Sequence, residues 1–140
     1  MTPTDAKRRT LPAWILAAGD TAAIVLFAVV GLLNHEEGIT GAGLARNVVP
    51  ILGVWFAIAP FTGVYNRPGF RPMILTWAIA VPVGVAIRAV ALHRAADEHQ
   101  VAFAIVALLV TLVFLSAWRA LASRVRWVAI GRAARPRSRP

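Results

Sequence analysis

The 140-residue chain contains no cysteine. This excludes a disulfide framework, thiol chemistry and cysteine-ligated iron–sulfur or zinc sites, and leaves redox compartment unreadable from cysteine usage. Acidic residues are also scarce, 6 Asp plus Glu against 15 Lys plus Arg, for a formal charge of +9. No glycine-rich phosphate loop, nucleotide fingerprint or HExxH pattern occurs, and no internal repeat relates the first and third apolar runs, which argues against an inverted-repeat transporter within one chain.

What the chain has in abundance is apolar sequence, 59% of its residues, well above the share in an ordinary soluble domain. A hydrocarbon core of ~30 Å needs about 20 apolar residues as helix. Four stretches meet that length, near 11–33, 48–64, 73–92 and 101–122. The expected fold class is therefore all-α, an integral membrane four-helix bundle, with residues 1–10 a cytoplasmic N-terminus and residues 123–140 a basic cytoplasmic tail. The first run is longer than a cleavable signal core of about 7–15 residues and contains Asp20, so it reads as a retained span.

The basic residues flank the spans instead of covering a soluble surface. Placing both termini inside puts Lys7, Arg8, Arg9, Arg67, Arg71, Arg119, Arg124, Arg126, Arg132, Arg135, Arg137 and Arg139 on the cytoplasmic side and leaves Arg46, Arg88 and Arg94 outside. The positive-inside rule then assigns the orientation, in a multi-pass protein of the bacterial inner membrane. The tail arginines, with Trp127 among them, suit anionic lipids of the cytoplasmic leaflet. Nucleic acid is not needed to explain the charge.

Small residues punctuate the spans. Gly38, Gly41 and Gly43 read as a flexible outer loop; Gly53 with Ala57, and Ala80 with Gly84, form small-xxx-small faces that suit close helix approach or a homodimer interface. Pro50, Pro60 and Pro82 each remove a backbone hydrogen bond and predict kinks. The stretch from Tyr65 to Pro72 reads as a tight turn.

An ionisable residue inside a membrane helix is costly and needs a partner. Asp20 lies roughly 13 Å of helix rise beyond Leu11, near the midplane. Arg119 and Arg88 are the two cations deep enough to compensate it. Helical side chains lean towards their own N-terminus, so Arg119 and Asp20 lean towards one another while Asp20 leans away from Arg88. The expected intramembrane pair is Asp20 with Arg119. At the other boundary His35, Glu36 and Glu37 form an outer polar rim that meets Arg88. Imidazole and carboxylate suit zinc, iron, manganese or nickel, but the spacing matches no metal motif; the reading is a solvated rim with no metal and no cofactor. Thr111 and Ser116 are expected to bond their own helix backbone instead of serving as nucleophiles.

Asp20, Phe27, Gly31 and His35 in the first span, Pro50 and Gly53 in the second, Gly84 with Arg88 in the third, and Phe103 with Trp118-Arg119 in the fourth together resemble a four-span prokaryotic membrane family, domain of unknown function 3054. The resemblance covers roughly Leu11 to Ala122. Ile51 follows Pro50 where that family often has an aromatic. The resemblance implies the fold and the polar positions and carries no assigned activity. The leading functional expectation is small-solute or ion permeation using the Asp/Arg pair, with a dimer supplying a wider path. The alternative is a non-transporting structural or scaffold subunit; a lipid-modifying enzyme comes third, and no enzymatic activity is expected.

Overall fold

The computed structural model describes residues 11–33, 39–67, 69–93 and 98–133, with side chains in the last segment from 100 to 125. Four helices follow in order: α1 Ala13–Leu33, α2 Gly41–Thr62, α3 Phe70–Ala91 and α4 Glu98–Ala133. Each is long and apolar enough to cross a membrane. They close a square in which α1 packs on α2 and α4, and α3 packs on α2 and α4. Asp20 meeting Arg119 while Phe27 meets Phe103 makes α1 and α4 antiparallel. Thr62 meeting Thr76 while Asn47 meets Arg88 does the same for α2 and α3. The bundle therefore has a near end, holding the start of α1, the 63–69 turn and the late turns of α4, and a far end holding the end of α1, the start of α2, the end of α3 and the start of α4.

Local chemistry sets the helix limits. The Pro12 carbonyl accepts from the Ile15 and Leu16 amides and opens α1. Thr40, in extended backbone, caps α2 by accepting from the Gly43 amide at 3.0 Å, satisfying one of the orphan donors of a helix start. Gly41 and Gly43, read as part of a flexible loop, thus lie in the first turn of α2, which begins at Gly41 and not near Val48; Gly38 lies outside the described residues. At the other end Gly63 adopts φ 68° and its amide bonds the Ala59 carbonyl at 3.1 Å. This left-handed cap, which glycine adopts without a Cβ penalty, stops α2 at Thr62. Pro50 and Pro60 lie inside α2 and Pro82 inside α3, and both helices run through them.

The fourth helix departs most from expectation. At 36 residues it is about 54 Å long, against a hydrocarbon core of ~30 Å. Its apolar span covers Gln100–Val125, and the stretch read as a separate basic tail from 123 begins as helix continuous with it.

Burial follows helical spacing. Leu16, Asp20, Ala23, Ile24, Phe27 and Ala28 form one stripe of α1, and Ala107, Thr111, Leu115 and Arg119 form an i, i+4 row on α4. Leu26, Val49, Phe61, Leu75 and Val113 are exposed, the apolar exterior that lipid requires. Buried hydroxyls are satisfied locally: Thr111 donates to the Ala107 carbonyl and accepts from the Trp77 indole at 3.1 Å, while Thr62 and Thr76 bond one another at 2.7 Å across α2 and α3. Thr111 behaves as expected of a membrane-helix hydroxyl.

The small-residue faces divide. Ala80 and Gly84 are buried inside the bundle, and a Cβ at Gly84 would come within 2.6 Å of the Ile51 Cα. This face joins α3 to α2 and is not open to a second copy. Gly53 has no heavy atom near its Cβ direction and lies exposed with Ala57 on the bundle exterior. Gly84→Val is expected to force α2 and α3 apart and cost about 1–3 kcal/mol, whereas Gly53→Val leaves the monomer fold intact. Reversible unfolding of both variants in detergent, alongside wild type, checks the contrast.

Candidate functional site: a buried ion pair and the cleft above it

The near end is built on two consecutive residues from each of two helices. Gly19 and Asp20 sit on α1; Trp118 and Arg119 sit on α4. A Cβ at Gly19 would fall inside the Trp118 ring, so only the bare glycine backbone admits the indole at this distance. That seating brings the next α4 residue against the next α1 residue. Arg119 donates from Nε to Asp20 Oδ1 at 3.0 Å and from Nη2 to Asp20 Oδ2 at 2.5 Å. This is the bidentate match of a planar guanidinium fork to a carboxylate. Asp20 is 0% exposed and Arg119 6%.

The 63–69 turn completes the surround. Gly63 ends α2, which leaves the Val64 carbonyl outside any helical ladder, and Arg119 Nη1 donates to it at 3.5 Å. Tyr65, the chain's single tyrosine, lies with its ring 5.8 Å from the Arg119 guanidinium carbon. Its hydroxyl accepts from the Trp55 indole at 2.8 Å and faces the Asp20 carboxylate. Burial, with that carboxylate beside it, pushes the Tyr65 phenol up from its ordinary value, so it stays protonated. The Trp118 ring also borders the carboxylate, but its indole N–H, although buried, reaches no hydrogen-bond partner among the described residues. The network thus spans α1, α2, α4 and the turn.

The pairing of Asp20 with Arg119 instead of Arg88 is what the lean of helical side chains predicts. Arg88 lies at the far end, where it has partners of its own. It donates from Nε to Asn47 Oδ1 at 2.7 Å and from Nη1 to Gln100 Oε1 at 3.0 Å, with its guanidinium 4.0 Å from the centroid of the Phe103 ring. Asn47 is anchored in turn on the Gly43 carbonyl, and Phe103 meets Phe27 at 6.1 Å. Arg88 therefore ties α2, α3 and α4 together. His35, Glu36 and Glu37, the rest of the expected rim, lie outside the described residues.

Sequence reasoning found both charged members of the pair and missed Gly19, Trp55, Val64, Tyr65 and Trp118 as its surround. One signal was present: Gly-Asp and Trp-Arg are adjacent doublets, so antiparallel packing that joins one pair joins the other. Nothing local marked the Val64 carbonyl.

Above the pair a cleft of about 140 Å³ opens at the near end. Leu11 and Leu16 of the α1 region, Phe70 at the start of α3, and Arg119, Ala122 and Ser123 of α4 line it. Arg119 is thus shared between a closed contact with Asp20 and an open one with the cleft.

Removing one member of a buried pair leaves the other uncompensated, at a cost of about 3–5 kcal/mol, whereas replacing both with apolar residues is often near neutral. Arg119→Leu is therefore expected to destabilise strongly, and Asp20→Leu combined with Arg119→Leu to regain most of the loss. Unfolding free energies of the two singles and the double, read as a mutant cycle, measure the coupling. Gly19→Ala is expected to destabilise independently of charge, through the Trp118 ring, in the same assay.

No curated protein and no solved structure matches the chain. A family model, described as protein of unknown function (DUF3054), matches residues 17–122, a stretch that contains both members of the ion pair, Tyr65 and the Arg88 cluster. With four helices able to span a membrane and well over half its length covered by that model, the chain belongs to the DUF3054 family.

Proposed function

We propose that this protein is a non-transporting membrane subunit or scaffold in which the Asp20–Arg119 pair fastens α1 to α4 and to the 63–69 turn. One observation carries the reading. Asp20 is fully enclosed with both carboxylate oxygens on Arg119, whereas a carboxylate on an ion pathway faces a water-filled cavity. The Trp55–Tyr65 bond closes the same region from α2. No enzymatic activity is assigned, since the buried hydroxyls are spent on backbone and indole partners.

The second reading is permeation of a small solute or ion gated by the pair. The cleft favours it, because it reaches Arg119 from the near end. The two readings separate in reconstituted liposomes. The scaffold predicts proton and solute flux no greater than in empty liposomes, for wild type and Asp20→Asn alike. Flux by wild type that Asp20→Asn abolishes would establish permeation instead.

The near end is assigned to the cytoplasm of a bacterial inner membrane. Arg67 lies in its turn, Arg71 at the start of α3 and Arg124 on late α4, as the positive-inside rule requires. The tail is assigned to anionic lipid, and the exposed Gly53–Ala57 face of α2 to a homodimer. Reporter fusions at the C-terminus and at Gly41 are expected to report the C-terminus inside and Gly41 outside; the opposite pattern would overturn the assignment.

A further inference from the structure

We infer that the near-end cleft is a specific site for the headgroup of one anionic phospholipid, with Arg119 at its base. The inference is independent of whether the ion pair fastens or conducts, because it rests on the face of Arg119 that Asp20 does not use. A guanidinium has five N–H donors. Three are engaged, two on Asp20 and one on the Val64 carbonyl, which leaves two without a partner among the described residues. Arg119 is nevertheless only 6% exposed, and it is one of the residues that line the cleft. Buried donors of this kind call for an acceptor, and a phosphate oxygen is a strong one for an arginine fork.

The remaining walls specify the body that carries the phosphate. Leu11, Leu16, Phe70 and Ala122 present apolar surface and Ser123 adds a hydroxyl near the mouth. At about 140 Å³ the space admits a phosphodiester with the start of a glycerol backbone, and the acyl chains then lie in the bilayer along exposed apolar side chains such as Trp14 and Leu121. Charge complements the choice. Arg67, Arg71 and Arg124 are exposed on three of the four segments that border the cleft, the 63–69 turn, α3 and α4, and Asp20 is the single acidic residue among the described residues of that end, already bound. A zwitterionic lipid would bring its ammonium towards these arginines; a free phosphate would leave the apolar walls without a partner. Attraction of an anionic leaflet to basic residues adds to the site without supplying its shape.

The test uses the full chain, purified in neutral detergent. Native mass spectrometry with phosphatidylglycerol, and separately with phosphatidylcholine, is expected to show one retained phosphatidylglycerol, with phosphatidylcholine bound at least about tenfold more weakly. Thermal unfolding is expected to shift upward with phosphatidylglycerol and to stay unmoved by inorganic phosphate. Ser123→Trp fills the mouth from an exposed position whose own hydroxyl donates to the Ala120 carbonyl, so it should abolish the retained lipid while keeping every arginine. Leu11→Trp plugs the opposite wall and serves if the first variant does not fold. Arg124→Gln, which lowers surface charge and leaves the cleft intact, should keep the lipid. Equal retention of the two lipids, an equal shift with inorganic phosphate, or loss in Arg124→Gln with retention in Ser123→Trp would each overturn the inference.

Discussion

A carboxylate enclosed among apolar helices is the constraint on which the rest of this structure depends. Water is excluded around Asp20, so its charge has to be matched by groups the protein itself delivers, at fixed distance and angle. A lysine could supply charge at that depth; a side-on arginine also occupies both carboxylate oxygens and retains donors for a third partner. Meeting this requirement obliges α1 and α4 to be neighbours, to run antiparallel and to hold one register. A one-residue slip on either helix would rotate a partner by about 100° and leave both charges buried and alone.

The surround follows from that register. Gly19 has no side chain because the Trp118 ring lies where one would project, and the 63–69 turn is placed so that Val64 can accept from Arg119. Tyr65 then extends the network to Trp55 of α2. At the far end a second arginine, Arg88, joins Asn47, Gln100 and the face of Phe103. Between these two polar clasps the close approach of α2 and α3 at Gly84 and Ile51 supplies the van der Waals contact that drives helix association in a medium as apolar as the side chains themselves. The bundle is held by directional contacts at its ends and by shape in its middle.

This arrangement bears on function by what it leaves mobile and what it does not. An ion pair secured from three helices and a turn is poorly suited to exchange partners during a transport cycle, which is why the scaffold reading ranks first. The same arginine forms the base of an open cleft, and its outward face is where chemistry from outside the chain can enter. A structural pair and a ligand site are compatible here because they use different edges of one guanidinium.

Four apolar helices, the scarcity of acid that makes Asp20 conspicuous, and the choice of Arg119 over Arg88 can be read from the chain alone, because span length, hydropathy and the lean of helical side chains are local properties. Even the doublets Gly19-Asp20 and Trp118-Arg119 were visible, though their meaning was not. The tertiary structure alone decided that Gly41 opens a helix, since a Thr40 cap outweighs the flexibility of nearby glycines. It also decided that Ala80 and Gly84 face inward while Gly53 faces outward, because both faces carry the same pattern and only packing distinguishes them. Tyr65 and the Val64 carbonyl joined the pair through a chain reversal at Gly63, and the cleft arose between segments more than a hundred residues apart. Contacts of that separation are set by how helices pack, and no local stretch of sequence contains them.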